Sequence, residues 1–284
     1  MKRIYLVSLL LAISLQAYTQ EIYYVFQDIT SKNIKTGAER IELYLPYIKH
    51  KKVAVCTNHT GMIGSKHLVD SLLSLHIEIT KIFSPEHGFR GEAEAGKRVN
   101  HSVDKQTGIP IVSLYGQHKK PDSNDLKNVN IILFDIQDVG ARFYTYISTL
   151  HYIMEAAAEH NIPVIVLDRP NPNGYWVDGP VLEKKHTSFV GMHPVPIVHG
   201  MTIGEYAKMI NGEQWLADGK KCLLQVVPMK GYHHTFRYQL PIHPSPNLSS
   251  MTAIYLYPTL CLLEGTPLSI GRGTDKPFCI LGYP

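Results

Sequence analysis

No G-x-G-x-x-G follows any apolar run in this 284-residue chain, and G-x-x-x-x-G-K-[ST] does not occur. The phosphate cradles of dinucleotide-binding and P-loop proteins are therefore missing. G-x-S-x-G is absent too, so there is no serine elbow of the α/β-hydrolase type. His193, His199, His233, His234 and His243 lack H-E-x-x-H spacing, and the four cysteines show no C-x-x-C. A zinc site is not indicated, and no other metal or cofactor is called for. Cys56 and Cys261 sit inside apolar runs, where a buried free thiol is the expectation. The chain also lacks a strong charge of either sign: 28 basic residues face 24 acidic ones. Such a balance argues for neither a nucleic-acid partner nor a charged membrane surface.

What the chain does have begins at Met1. Lys2 and Arg3 precede an apolar run over 4–15, and Ala17-Tyr18-Thr19 offers small residues at cleavage positions. The run is too short for a comfortable membrane span and has the form of a secretory signal peptide over 1–20. Export is the expectation, with a mature N-terminus near Gln20 or Glu21. Loss of Lys2 and Arg3 leaves 26 basic against 24 acidic residues, a net charge close to +2.

From Lys51 onward, short apolar runs alternate with segments of helical period. Strands are expected at 53–57, 77–83, 109–115, 129–134 and 162–167, and helices at 65–75 and 144–160. The runs are continuous rather than alternating, which marks strands buried on both faces. The β-then-α order predicts an α/β fold: a doubly wound, mostly parallel sheet over 21–175. The texture then changes. Residues 171–200 are rich in Pro and Gly, Thr202 and Glu205 form a capping box for a helix over 202–216, and 223–227 reads as a strand. A further helix is expected over 250–264 despite Pro258. A second, smaller α+β domain over 176–284 is the expectation, incomplete because the chain stops inside an apolar run.

Three of the inferred strands end in dense polar clusters at one sheet edge, the edge at which such folds bind ligands. The first is Ser84-Pro85-Glu86-His87-Gly88-Phe89-Arg90-Gly91-Glu92. The second is Asp135-Ile136-Gln137-Asp138-Val139-Gly140-Ala141-Arg142-Phe143-Tyr144-Thr145-Tyr146. The third is Asp168-Arg169-Pro170-Asn171-Pro172-Asn173-Gly174. Each residue also has a plain structural use: Asp135 or Asp168 as helix cap or ion-pair partner, the asparagines beside prolines as turn formers. Carboxylates, amides, arginines and aromatic rings together suit a carbohydrate, because paired carboxylates supply acid and base or nucleophile across a glycosidic bond.

Residues 84–91 of the first string, the whole of the second, and residues 168–172 of the third closely resemble the NamZ family of exo-β-N-acetylmuramidases, long known as DUF1343. So do His199-Gly200-Met201-Thr202-Ile203-Gly204-Glu205, Pro244-Ser245-Pro246-Asn247, and the stretch from Glu264-Gly265-Thr266 through Gly271-Arg272-Gly273-Thr274-Asp275-Lys276-Pro277-Phe278. The resemblance implies a secreted or periplasmic glycoside hydrolase that releases N-acetylmuramic acid from the non-reducing ends of peptidoglycan fragments. It implies a Rossmann-like domain and a smaller C-terminal domain with the active site in the cleft between them. Family members continue well past Pro284, hence the expectation of an incomplete smaller domain. On this reading Glu92 and Glu86 are the leading catalytic carboxylates, with His87 tuning or positioning them. Asp135, Asp138 and Glu264 are reserves for the second carboxylate. Arg90, Arg142, Arg169 and Arg272 are candidates for the lactyl carboxylate of the sugar, and Asn171, Asn173 and Asn247 for its acetamido and hydroxyl groups. Gln137, Tyr144, Asp168 and His199 complete the expected ligand contacts. A non-catalytic muropeptide-binding protein is the alternative. A deacetylase or amidase of the same ligand would require a metal-competent His/Asp cluster.

Overall fold

A computed structural model describes residues 34–86, 88–90 and 102–283. The signal-peptide expectation, Glu92 and His87 lie outside the described residues. In chain order the elements are α1 (Ile41–Ile48), β1 (Val53–Thr57), β2 (Met62–Ile63), β3 (Lys66–His67), α2 (Leu68–Ser74), β4 (Ile79–Ser84), β5 (Ser102–Val103), β6 (Pro110–Ser113) and β7 (Ile131–Asp135). These are followed by α3 (Tyr146–Glu159), β8 (Val164–Leu167), α4 (Ile203–Gly212), β9 (Leu224–Val227) and α5 (Met251–Leu260).

Among the described residues seven strands form one sheet in the order β5-β6-β4-β1-β7-β8-β9, and β2 pairs with β3 in a small hairpin. Every neighbour in the large sheet is parallel except the edge strand β5, which runs antiparallel to β6. Counting only the parallel strands in chain order, the arrangement is 3-2-1-4-5-6, the doubly wound Rossmann order. The direction of winding reverses between β1 and β7, which pair from Val53 with Ile131 to Thr57 with Asp135. A crevice therefore opens outside the carboxyl ends of these two strands.

The continuous apolar runs have a direct cause. Val53 and Val55 of β1, Ile131 and Leu133 of β7, and Ile165 and Leu167 of β8 face one core, which takes in Tyr44 and Ile48 of α1 and Leu68, Val69 and Leu72 of α2. The alternate residues Ala54, Cys56, Ile132, Phe134, Val164 and Val166 face the other, with Ile147, Leu150, Ile153 and Met154 of α3 and Tyr206, Ala207 and Ile210 of α4. A strand buried on both faces has no polar side to alternate with. Full burial of one such side chain contributes roughly 1.5–3 kcal/mol, and Phe134→Ala at the centre would cost about 3–5 kcal/mol.

The helices start where capping chemistry permits. The Thr202 side chain accepts from the Glu205 amide, and Glu205 returns a bond to the Thr202 amide at 2.9 Å, which completes the box expected for α4. The Ser250 hydroxyl accepts from the Ala253 amide and opens α5; Pro258 lies inside that helix, whose last turn tightens into a 3-10 turn over Cys261–Gly265. In one respect the organisation differs from expectation. β9 continues the main sheet, pairing with β8 from Val164–Leu224 to Leu167–Val227, and α4 packs against the same strands. The sheet thus extends past the expected boundary at 175, because a short half-buried strand does not announce which sheet it joins. The Pro-rich segment 171–200 is ordered loop, held by isolated bridges of Val198 to Ala141 and to Asp178.

Candidate active site

Three grooves stand out. The largest, about 670 Å³, lies where β7, β8 and β9 begin and is lined by Asn130, Pro163, Leu223 and neighbours. It is at the wrong end of the sheet for the ligand chemistry of this fold. The other two lie at the carboxyl edge. One, of about 410 Å³, includes Thr36, Glu39, Thr60, Gln137, Arg169 and Tyr238 in its wall. The second, about 180 Å³, brings together Glu86, Tyr144, Tyr146, Asn247, Glu264 and Arg272 among aromatic walls of Phe143, Tyr257 and Phe278.

The smaller cavity draws on distant parts of the chain. Glu86 lies two residues beyond Ser84, the end of β4, while Tyr146 opens α3 and Tyr144 stands two residues before it. Asn247 comes from the loop before α5, and Glu264 from the turn after it. The aromatic rings brace one another edge to face: Tyr144 with Tyr146 at 4.8 Å between centroids, Tyr144 with Tyr257 at 5.7 Å, and Tyr257 with Phe278 at 5.1 Å. Such walls offer stacking faces to a sugar ring. Arg272 Nε lies 3.0 Å from Glu264 Oε1, and both side chains remain part-exposed. Glu86 interacts with the Tyr115 hydroxyl, whose ionisation burial and that carboxylate both oppose.

Most of the other expected contacts are committed elsewhere. Asp135 and Arg169 form a bidentate buried pair, Nε to Oδ1 at 2.6 Å and Nη2 to Oδ2 at 2.9 Å, with exposures of 0% and 6%. Arg90 bridges Asp104 at 2.9 Å and Asp70 at 3.2 Å, stapling the β4 loop to α2 and the segment after β5. Arg142 donates to the carbonyls of Pro180 and Val195. Of the four arginines, only Arg272 shares the small cavity with Glu86. Likewise, of the three reserve carboxylates only Glu264 does so; Asp138 is buried and accepts from the Gly140 amide at 2.7 Å.

The remaining polar residues cross-brace the strand-end loops. Gln137 donates to the carbonyls of Asp138 and Pro170. Asn171 donates to Met201 O and accepts from the Asn173 amide, while Asn173 donates to Val139 O and Ile254 O. His199 accepts from the Met201 amide and lies 3.7 Å from Asp138. Asp168 accepts from Thr202 Oγ1 and from the amides of Gly204 and Arg169, anchoring the first turn of α4. Burial pushes its carboxyl up to about 6 despite these three bonds. Tyr144 commits its hydroxyl proton to Pro244 O at 2.9 Å.

Two residues of interest were not among the sequence candidates. Tyr146 stands two positions from Tyr144, and nothing in the string separates their roles. Asn58, directly after β1, is wholly buried and donates to the Tyr146 hydroxyl at 3.0 Å. Its place at a strand end on the same edge was the available signal. Among the described residues, one His/Asp group has ligand atoms within 4.8 Å of one another, His118, Asp122 and Asp125. None of the three lines the small cavity.

Fold and cavity together define a doubly wound α/β protein with an aromatic, carboxylate-bearing pocket at the sheet's carboxyl edge. The family model described as exo-beta-N-acetylmuramidase NamZ, N-terminal, matches residues 53–252, and its C-terminal counterpart matches residues 255–284. The chain belongs to the NamZ family. It is 46% identical over 267 residues to the peptidoglycan beta-N-acetylmuramidase NamZ of Bacillus subtilis, covering 91% of this chain and 63% of that protein. The chain thus spans less than two thirds of the length of that curated relative. Two crystal structures of DUF1343 family proteins from Bacteroides fragilis superpose with TM-scores of 0.82 and 0.81, at 50% and 38% identity. Each match covers 88% of this chain, and 67% and 65% of the respective structures. The binding-only alternative gains no support from these relatives.

Proposed function

We propose that this protein is an exported exo-β-N-acetylmuramidase acting on muramic-acid-containing fragments of peptidoglycan. The observation that carries the reading is the small cavity at the carboxyl edge, where Glu86 shares an aromatic pocket with the Glu264–Arg272 pair. The name and identity of the Bacillus subtilis relative support the choice of sugar. Glu86 acts as acid or nucleophile, with Glu264 or Glu92 as its counterpart. Arg272 exchanges its exposed partner Glu264 for the lactyl carboxylate of the ligand, a charge-assisted contact that a glucosamine sugar cannot make. Asn247 reads the acetamido or hydroxyl groups. The charged N-terminus and apolar run over 4–15 support export.

The test is turnover of a chromogenic N-acetylmuramic acid β-glycoside by the full-length protein, with the glucosamine glycoside as control. Wild type cleaves the first and not the second. Glu86→Gln keeps the fold and loses about 10²–10⁴-fold in rate. Absence of wild-type turnover refutes the activity; full activity in the Gln variant refutes the role of Glu86.

A further inference from the structure

The hydrogen-bond directions around Asn58 leave little freedom. The Thr60 amide is a donor only, and it lies 3.0 Å from Asn58 Oδ1. The Thr60 hydroxyl accepts from the Gln137 amide at 3.0 Å and gives its own proton to the same Oδ1 at 2.6 Å. With Oδ1 so occupied, the amide nitrogen of Asn58 must face Tyr146, 3.0 Å away, and Tyr146 must accept. Tyr146 is 2% exposed and lines the small cavity beside Glu86. Its own proton then has two directions open: the adjacent Tyr144 oxygen, which interacts with it, or the cavity. Tyr144 gives its own proton to Pro244 O and keeps lone pairs free to accept from Tyr146, so a ligand oxygen entering the cavity competes with Tyr144 for that proton. Burial, with the nearby Glu86 and Asp138 carboxylates, also opposes ionisation of Tyr146, so the proton stays on the phenol.

We propose that Tyr146 donates a hydrogen bond to a neutral oxygen of the ligand, a hydroxyl or an acetamido carbonyl, and that Asn58 is the positioning residue that aims it. The inference takes its ligand, an N-acylated sugar, from the muramidase reading, and its geometry from the chain alone. Asn58 acts only through Tyr146: it supplies the donor that occupies the phenol oxygen, so that the phenol proton is left for the Tyr144 oxygen or for a ligand. Replacing it by the isosteric aspartate reverses this arrangement. A carboxylate keeps both Thr60 bonds but can only accept from Tyr146, which draws the proton away from the cavity.

The experiment uses the full-length protein with ¹³Cζ-labelled tyrosine, titrated with N-acetylmuramic acid, alongside kcat/KM on its chromogenic glycoside. In wild type the Tyr146 resonance, assigned by its loss in Tyr146→Phe, moves on sugar binding. Tyr146→Phe binds the sugar about tenfold more weakly, the loss of one hydrogen bond. Asn58→Asp keeps the Tyr146 resonance but abolishes its response to sugar, and weakens binding by a similar factor. Combining the two substitutions costs no more than Tyr146→Phe alone, because Asn58 has no other route to the ligand. Sugar binding by Tyr146→Phe within twofold of wild type overturns the contact. Asn58→Asp losses that persist in the Phe background overturn the positioning role and leave Asn58 structural. A wild-type protein that binds the sugar without cleaving it refutes the muramidase reading, while the binding and resonance data still decide this one. A wild-type protein that does not bind the sugar at all overturns the contact.

Discussion

Replacing Asp135 by asparagine tests whether the Asp135–Arg169 pair faces a ligand or holds the sheet edge together. Both carboxylate oxygens are within 2.6–2.9 Å of the guanidinium, Asp135 is fully buried, and Arg169 is 6% exposed. Asp135→Asn conserves shape but leaves the buried cation without its counter-charge and sets the new amide N–H against Arg169 Nη2. Breaking one side of a buried pair costs about 3–5 kcal/mol. At about 2–4 °C per kcal/mol for a domain of this size, the midpoint should fall by roughly 6–20 °C. The charge-free double variant Asp135→Leu with Arg169→Met removes both ions together and should recover most of that loss, since a buried pair contributes little beyond its apolar equivalent. Urea unfolding at constant slope, repeated by thermal melt, reads both. If Asp135→Asn unfolds within about 1 kcal/mol of wild type yet loses affinity for the sugar, the pair is a ligand contact and the structural assignment is wrong.

Asp168 titrates near 6 in the fold against 3.8 for an ordinary carboxyl, with burial as the leading cause. Its folded value is raised, so its stabilising share is whole below pH 3.8 and is lost as pH rises through about 6, a change of about 3 kcal/mol. Asp168→Asn lacks this slope, so the wild type should lose stability relative to the variant between these pH values in urea titrations; a pH-independent difference would refute the assignment. Gly140 has φ +77°, and a Cβ there would lie 2.3 Å from Asn171 Oδ1. Gly140→Ala should cost about 1–3 kcal/mol in the same assay, and a loss under about 0.5 kcal/mol would show that the Asn171 brace yields.

Layer order was legible because its signal is local. Five residues such as Val53-Ala54-Val55-Cys56-Thr57, all buried, admit few readings other than a two-sided strand. The capping box of α4 was equally readable, since Thr202 and Glu205 are three residues apart. α1 was not, because Pro46 interrupts its helical period and its buried face consists of Tyr44 and Ile48 alone. The destination of β9 was hidden for a different reason: only the remote partner β8 determines which sheet Leu224–Val227 joins. The site was half legible. Glu86, Tyr144, Asn247, Glu264 and Arg272 do share one cavity, but Asp135 and Arg169, separated by 34 positions, look in the sequence like any ligand-facing charges.

The density of polar residues at this edge has a physical origin beyond catalysis. Where strands end, the backbone leaves its ladder, and each buried amide and carbonyl must find a new partner. Asn171, Asn173, Gln137, Arg142 and Asp168 meet that demand, bonding almost wholly to main-chain groups of neighbouring loops. A loop braced in this way cannot shift without breaking several buried bonds, which is what a cavity needs if its few exposed groups are to hold their geometry. The polar strings therefore divide by partner rather than by residue type. Side chains bonded to backbone form the frame, and those that reach the cavity with a proton or charge to offer form the site. By that criterion Tyr144, anchored on Pro244 O, belongs to the frame, although the sequence presents it and Tyr146 as equals.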